Sequence, residues 1–88
     1  MYEWDDNKNQ LNIKKHGLDF ALAVEVFSDS NAVVQDNRVI NDEVREQIIG
    51  QIDNETVILF VVYPQRGQKI RIISARKASK KERFIYEN

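Results

Sequence analysis

The sequence predicts an α+β fold, with two N-terminal helices packed on a three- to four-stranded antiparallel sheet and a short C-terminal helix. Three observations carry that prediction. Apolar residues near the N-terminus recur at helical spacing, with Phe20, Val24 and Phe27 at i, i+4 and i+7. From Ala32 onward the period falls toward two, and β-branched residues dominate. A Ser-x-x-Glu capping box then closes the β-rich part, at Ser79 and Glu82.

The elements follow in order. Asp5 is suited to cap a first helix from about Asp6 to His16, since its carboxylate can accept free amide hydrogens of the first turn. Gly17 supplies the left-handed residue that ends it, and Lys14, Lys15 and His16 place cations in the last turn, where the helix dipole favours them. Asp19 caps a second helix, which Ser28-Asp29-Ser30-Asn31 terminates. Ala32 to Gln35 reads as a short strand, Arg38 to Asp42 as a polar loop or wide turn, and Arg45 to Ile52 as a strand. Asp53-Asn54-Glu55 reads as a hairpin turn leading into Thr56 to Tyr63, a central strand apolar on both faces. Pro64 to Gln68 is a second turn and Lys69 to Ala75 the last strand. The final helix begins after Ser79 and runs to about Tyr86. Phe20, Phe27, Phe60 and Trp4 are expected in the core, while Tyr63 and Tyr86 are candidates for stacking on bases.

The chain has 88 residues, 42% hydrophobic and 31% charged, with no internal repeat and no linker, so residues 1–88 are read as a single domain. Without cysteine, disulfides, thiolate zinc sites and thiol nucleophiles are excluded. The longest apolar run, Val57 to Tyr63, is far short of a membrane span, and the polar, acidic N-terminus reads as no signal peptide. The expectation is a cytoplasmic protein with no membrane partner.

Charge is the strongest functional signal. Between Arg66 and Arg83 lie eight of the thirteen Lys and Arg residues, against the single acid Glu82, although the net charge is only -1. A nearly neutral chain with one concentrated cationic region is suited to meeting an anion locally. Two-metal phosphodiester cleavage needs clustered carboxylates, and here the acids are scattered over turns and helix starts. Metal-free cleavage of RNA needs only a base, an acid and cations, because the 2′-hydroxyl is the nucleophile. His16, the sole histidine, is the natural proton carrier at neutral pH, although a helix-terminal cap is its simpler role. Arg45, Arg66, Arg71 and Arg76 lie in or beside the sheet, and Arg76 is the best phosphate candidate because the final helix begins beside it. Lys80 and Lys81 sit in that helix's first turn, against the dipole, a placement that anion binding would offset. No basic recognition helix of a helix-turn-helix is present, which disfavours a chain that binds DNA alone.

Glu3-Trp4-Asp5, Lys8, Asn12, Lys15-His16-Gly17, Phe20 and Ala23 resemble the opening of the BrnT family. Ile70-Arg71-Ile72-Ile73-Ser74-Ala75-Arg76-Lys77-Ala78, then Lys81-Glu82-Arg83 and Tyr86-Glu87, resemble its ending, and Arg45 to Gly50 its middle motif. The resemblance implies a RelE-like fold and a type II ribonuclease toxin that inhibits translation, and the metal-free chemistry above needs no cofactor. It further implies RNA as substrate, a neutralising BrnA-type antitoxin, and operator DNA bound only through the toxin–antitoxin complex. By motif, the site residues are His16, Lys15, Arg45, Arg66, Arg76, Lys81, Glu82 and Arg83. One departure stands out: Glu46 occupies a position where the family commonly has an aromatic, and an acid there would weaken phosphate contact if it faced the site. The alternative from another class is a non-catalytic interaction module or co-repressor subunit, an inactive toxin relic whose basic face binds an acidic or DNA-binding partner.

Overall fold

The chain enters the fold as a strand. Tyr2–Glu3 (β1) precedes the first helix, Asp6–His16 (α1), and a single α-helical turn, Phe20–Ala23 (α2), runs on as a 3-10 helix over Val24–Ser28. Five more strands follow, Val33–Ile40 (β2), Glu43–Gln51 (β3), Ile58–Arg66 (β4), Lys69–Arg71 (β5) and Ser74–Lys77 (β6), and Lys80–Glu87 (α3) closes the chain. The structure, a computed structural model, describes residues 1–52 and 57–88, and the backbone alone at Asp36 and Asn37. The hairpin turn expected at Asp53-Asn54-Glu55, and Thr56 after it, lie outside the described residues.

The expected RelE-like arrangement of two N-terminal helices on a three- to four-stranded antiparallel sheet is therefore corrected. The fold is α+β, but its sheet holds six strands among the described residues, in the order β1-β5-β4-β3-β2 with β6 on β4. It is mixed, because β1 runs parallel to β5. Two residues carry no periodicity, so β1 was invisible to pattern; its bonds come from far along the chain, Ile70 N–H to Met1 O at 2.8 Å and Ile72 N–H to Glu3 O at 2.9 Å. The second helix tightens to 3-10 where β-branched Val24 and Val26 lower α-helical preference.

The expected loop from Arg38 to Asp42 is also corrected. β2 continues to Ile40, and the chain reverses in the two-residue turn Asn41-Asp42, whose φ angles of 53° and 64° suit a tight hairpin and are tolerated by Asn and Asp. Similarly, β4 continues through Pro64 to Arg66. Pro64 lies between the β6 pairing, which ends at Val62, and the β5 pairing, which starts at Gln65, so no ladder bond requires the N–H it lacks.

The expected last strand is two strands in offset register. Gln65 pairs with Ile70, but Val62 pairs with Ser74, which leaves one extra residue in the β5–β6 segment. That bulge reverses the alternation: Ile72 and Ala75, an odd number apart, both lie in the buried core. Strict alternation would have put Arg76 on the face of Ile72. With the extra residue, Arg76 faces the opposite side, which α3 covers.

The main core lies between the sheet and the helices that precede it. Phe20, Val26, Leu59, Val61 and Ile72 are fully buried there, and Trp4 packs edge-on against Phe20. Phe27 packs edge-on against buried Tyr63, which removes that tyrosine from base stacking. Ile49 is fully buried but stands outside that cluster, on the face that α3 covers. Beside the core, two buried asparagines tie α1 to its neighbours. The Asn12 side chain donates to Ala75 O at 2.8 Å and Leu18 O at 3.0 Å, and accepts from Ala75 N–H at 3.2 Å. Asn9 accepts from Phe20 N–H at 2.9 Å and donates to Asp19 Oδ1 at 3.1 Å.

The 3-10 helix crosses β3 at Gly50, where a Cβ would lie 2.9 Å from Val26 Cβ and 3.1 Å from Val26 O. Gly50→Ala is expected to destabilise the protein by about 1–3 kcal/mol through overpacking, read as a lower urea midpoint at unchanged m-value. Asn12→Ala strands both backbone groups of Ala75, and we expect a loss of about 2–4 kcal/mol in the same assay. A neutral effect at Asn12 would contradict its role as the lock on β6.

Candidate functional site

The face of the sheet under α3 carries a cleft of about 430 Å³. Register explains its lining. Arg45, Gln47 and Ile49 of β3 pair with Pro64, Val62 and Phe60 of β4, and Phe60 pairs with Arg76 of β6. All of these therefore share one face, and α3 supplies the wall opposite through Lys81, Glu82 and Ile85. Among the described residues, four cations, Arg38, Arg45, Arg76 and Lys81, line the cleft against one carboxylate, Glu82.

Arg76 is held on three sides. Its guanidinium lies 4.4 Å from the Phe60 ring centroid. Two of its nitrogens donate to Glu82, at 2.8 and 2.9 Å, a bidentate charge-assisted pair. Nη1 also donates to Lys77 O at 3.2 Å. Phe60, expected in the core, is thus half-buried beneath a guanidinium. Glu82 simultaneously completes the capping box of α3, accepting from Ser79 N–H at 2.8 Å while its own N–H donates to Ser79 Oγ at 3.2 Å. Burial works to raise the Glu82 pKa, but the hydrogen bonds from Arg76 and Ser79 outweigh it and hold the carboxyl below its ordinary value.

Arg45 is less well served. Its Nε is shielded from solvent without a hydrogen-bond partner. Glu43 lies 3.9 Å from it, and that carboxylate is already bound at 2.9 Å by Arg66.

The structure brings four of the expected site residues, Arg45, Arg76, Lys81 and Glu82, to the cleft. Arg66 lies outside the lining, paired to Glu43, and Arg83 is exposed on α3 and also outside it. Lys15 and His16 line a separate groove between α1 and the residues Ile73 and Ser74, so the sole imidazole does not share the cationic cleft. Arg71 is held by Glu3 at 3.4 Å. Glu46 faces the other side of the sheet, toward Tyr63, its register partner. The Tyr63 hydroxyl pKa is raised, first by burial and then by Glu46. The departure at Glu46 therefore does not place an acid in the cleft. Arg38 was missed as a site residue because its polar surroundings read as a loop; the compensating signal was Asn41-Asp42, a hairpin turn dipeptide.

Asp29 fastens the far end of α3. Its carboxylate accepts from Tyr86 Oη at 2.6 Å, Gln51 N–H at 2.8 Å and Asn31 N–H at 2.9 Å. Burial opposes the charge, yet these bonds leave the carboxyl below its ordinary pKa. Burial, and then Asp29, push the Tyr86 hydroxyl up to about 12, and the bond commits that ring to structure. Among the described residues no three His, Asp or Glu side chains are grouped to hold a metal ion, and no helix is long and apolar enough to cross a membrane.

Residues 4–82 match the family model described as "Ribonuclease toxin, BrnT, of type II toxin-antitoxin system". The chain belongs to that family, and a type II system pairs such a toxin with an antitoxin. No curated protein matches the chain.

The acid response of the fold follows from Asp29 and Glu82. Both native pKa values are lowered from ordinary values of 3.8 and 4.5, so the native state binds these protons less readily than the unfolded chain. Their stabilisation is present above those ordinary values and is lost as pH falls through the lowered ones. The urea midpoint is expected to hold between about pH 7 and 5 and to fall below about pH 4. Asp29→Asn should flatten that fall; an unchanged slope would remove Asp29 as the anchor of α3.

Proposed function

We propose, from membership of the BrnT ribonuclease toxin family, that residues 1–88 form one toxin domain acting as a metal-independent endoribonuclease. The observation that carries this reading is the meeting of Arg45, Arg76, Lys81 and Glu82 in one cleft. Glu82, the one carboxylate among the described lining residues, accepts the 2′-hydroxyl proton of the RNA. The freed oxygen attacks phosphorus, and the P–O5′ bond breaks as Lys81 passes a proton to the leaving oxygen. The products are a 2′,3′-cyclic phosphate and a 5′-hydroxyl end. Arg45 and Arg76 face the extra negative charge of the pentacoordinate phosphorane, where preorganised cations act most strongly. Arg76 also fixes Glu82 through both carboxylate oxygens, so the proton acceptor is oriented before substrate arrives.

Lys15 and His16 in their groove, with Arg66 and Arg83 outside the lining, are assigned to the RNA backbone on either side of the scissile bond. In this reading the enzyme inhibits translation in the cytoplasm, a BrnA-type antitoxin neutralises it, and operator DNA is held through the antitoxin in the complex.

The purified chain is expected to cleave RNA in EDTA, leaving cyclic phosphate ends, and to spare an RNA carrying 2′-deoxyribose at the cleaved position. Arg45→Ala should lower kcat by about 10²–10³, whereas His16→Ala should raise KM and leave the cleavage step intact. A strict Mg²⁺ requirement, or cleavage of the 2′-deoxy substrate, would overturn the mechanism. Expression in growing bacteria is expected to arrest growth, and the cognate antitoxin to relieve it.

A further inference from the structure

We infer that Arg38 and Arg45 form a two-guanidinium seat for a single phosphate group of the RNA backbone, with Arg38 a substrate-binding residue in its own right. The inference rests on the ribonuclease reading for its substrate, and on the geometry of β2 and β3 for the seat.

Arg38 and Arg45 are direct register partners on adjacent antiparallel strands, and both line the cleft. Like charges placed opposite one another across a ladder destabilise it. The register that produces this pairing is built by an irregularity. Gln35 pairs with Gln47 and Arg38 with Arg45, so β2 takes three steps where β3 takes two. In a regular strand, residues three apart face opposite sides. Gln35 and Arg38 nevertheless both line the cleft. The bulge is what turns Arg38 inward, as the separate bulge between β5 and β6 turns Arg76 inward. Two independent sheet defects thus aim arginines into one cavity.

Among the described residues Arg38 has no ion pair, and Arg45 has only a long one. The Arg45 Nε is shielded and has no hydrogen-bond partner. Glu43, its nearest carboxylate at 3.9 Å, is held at 2.9 Å by Arg66. Arg76, by contrast, has both prongs of its fork on Glu82. Arg38 and Arg45 are therefore the guanidinium groups of the cleft left open to an incoming anion. A phosphate fits the arrangement. Its oxygens can accept from both forks at once, through the guanidinium nitrogens that remain accessible, and its charge removes the repulsion.

The test uses the full chain and inorganic phosphate as the probe, with a DNA oligonucleotide as a second, uncleavable phosphodiester. Phosphate is expected to raise the Tm of the wild type and of the control Lys14→Gln. Arg38→Gln should bind phosphate and the DNA oligonucleotide about tenfold or more weakly. Its Tm without phosphate should equal or exceed that of the wild type, because the opposed charges are gone. Arg38→Lys should bind between the two. An Arg38→Gln protein that answers phosphate as the wild type does would overturn the seat, as would a lower phosphate-free Tm, which would make Arg38 a structural residue. Failure of the wild type to cleave RNA would sink the ribonuclease reading instead and would leave the phosphate measurements standing.

Discussion

The architecture turns on a side chain that behaves as a piece of backbone. Asn12, midway along α1, presents its carboxamide to Ala75 and engages both the N–H and the C=O of that residue. β6 is a four-residue strand paired on its other side with β4 alone. Left open, its outer edge would strand two buried polar groups, at a cost comparable to the margin of a small domain. By closing that edge, Asn12 also sets the position of the next residue, Arg76. Arg76 in turn sits on Phe60 and grips Glu82, and Glu82 completes the cap of α3. One continuous chain of contacts thus links the first helix, the last strand and the last helix. The wall of the cleft is positioned by groups far from it in sequence.

Within that frame, the two ends of α3 are secured by different carboxylates. Glu82 serves the N-terminal end and Asp29, through Tyr86, the C-terminal end. Both pay for burial with several hydrogen bonds from groups that favour the ionised form. The helix buries none of its residues fully, so these polar ties contribute much of what keeps it over the sheet. The capping carboxylate of α3 is also a cleft carboxylate, and it cannot swing away without uncapping the helix.

The cleft combines satisfied and unsatisfied charge. Arg76 is fully matched by the protein, whereas Arg38 and Arg45 face each other across the ladder. A fold optimised for stability alone would not place two guanidinium groups there. Membership of a ribonuclease toxin family gives that pairing a context, since RNA carries a phosphate at every nucleotide.

Much of this was written in local pattern. The caps at Asp5, Gly17, Asp19 and Ser79, the β-rich middle and the clustered cations near the C-terminus are all properties of neighbouring residues, and each follows from short-range chemistry. The motifs at the two ends were enough to place the chain in its family. Three features were not legible. β1 depends on bonds to residues about seventy positions away, and two residues have no period. The inward turns of Arg38 and Arg76 depend on bulges, which exist only once two strands have chosen a register. The separation of His16 from the cleft depends on how α1 is laid against β6, which the buried carboxamide of Asn12 decides. Sequence determined which residues could form helices, strands and a cationic surface, because those preferences act over a few residues. Only tertiary structure decided which cations share a cavity, because one inserted residue in a strand sends a side chain to the opposite face.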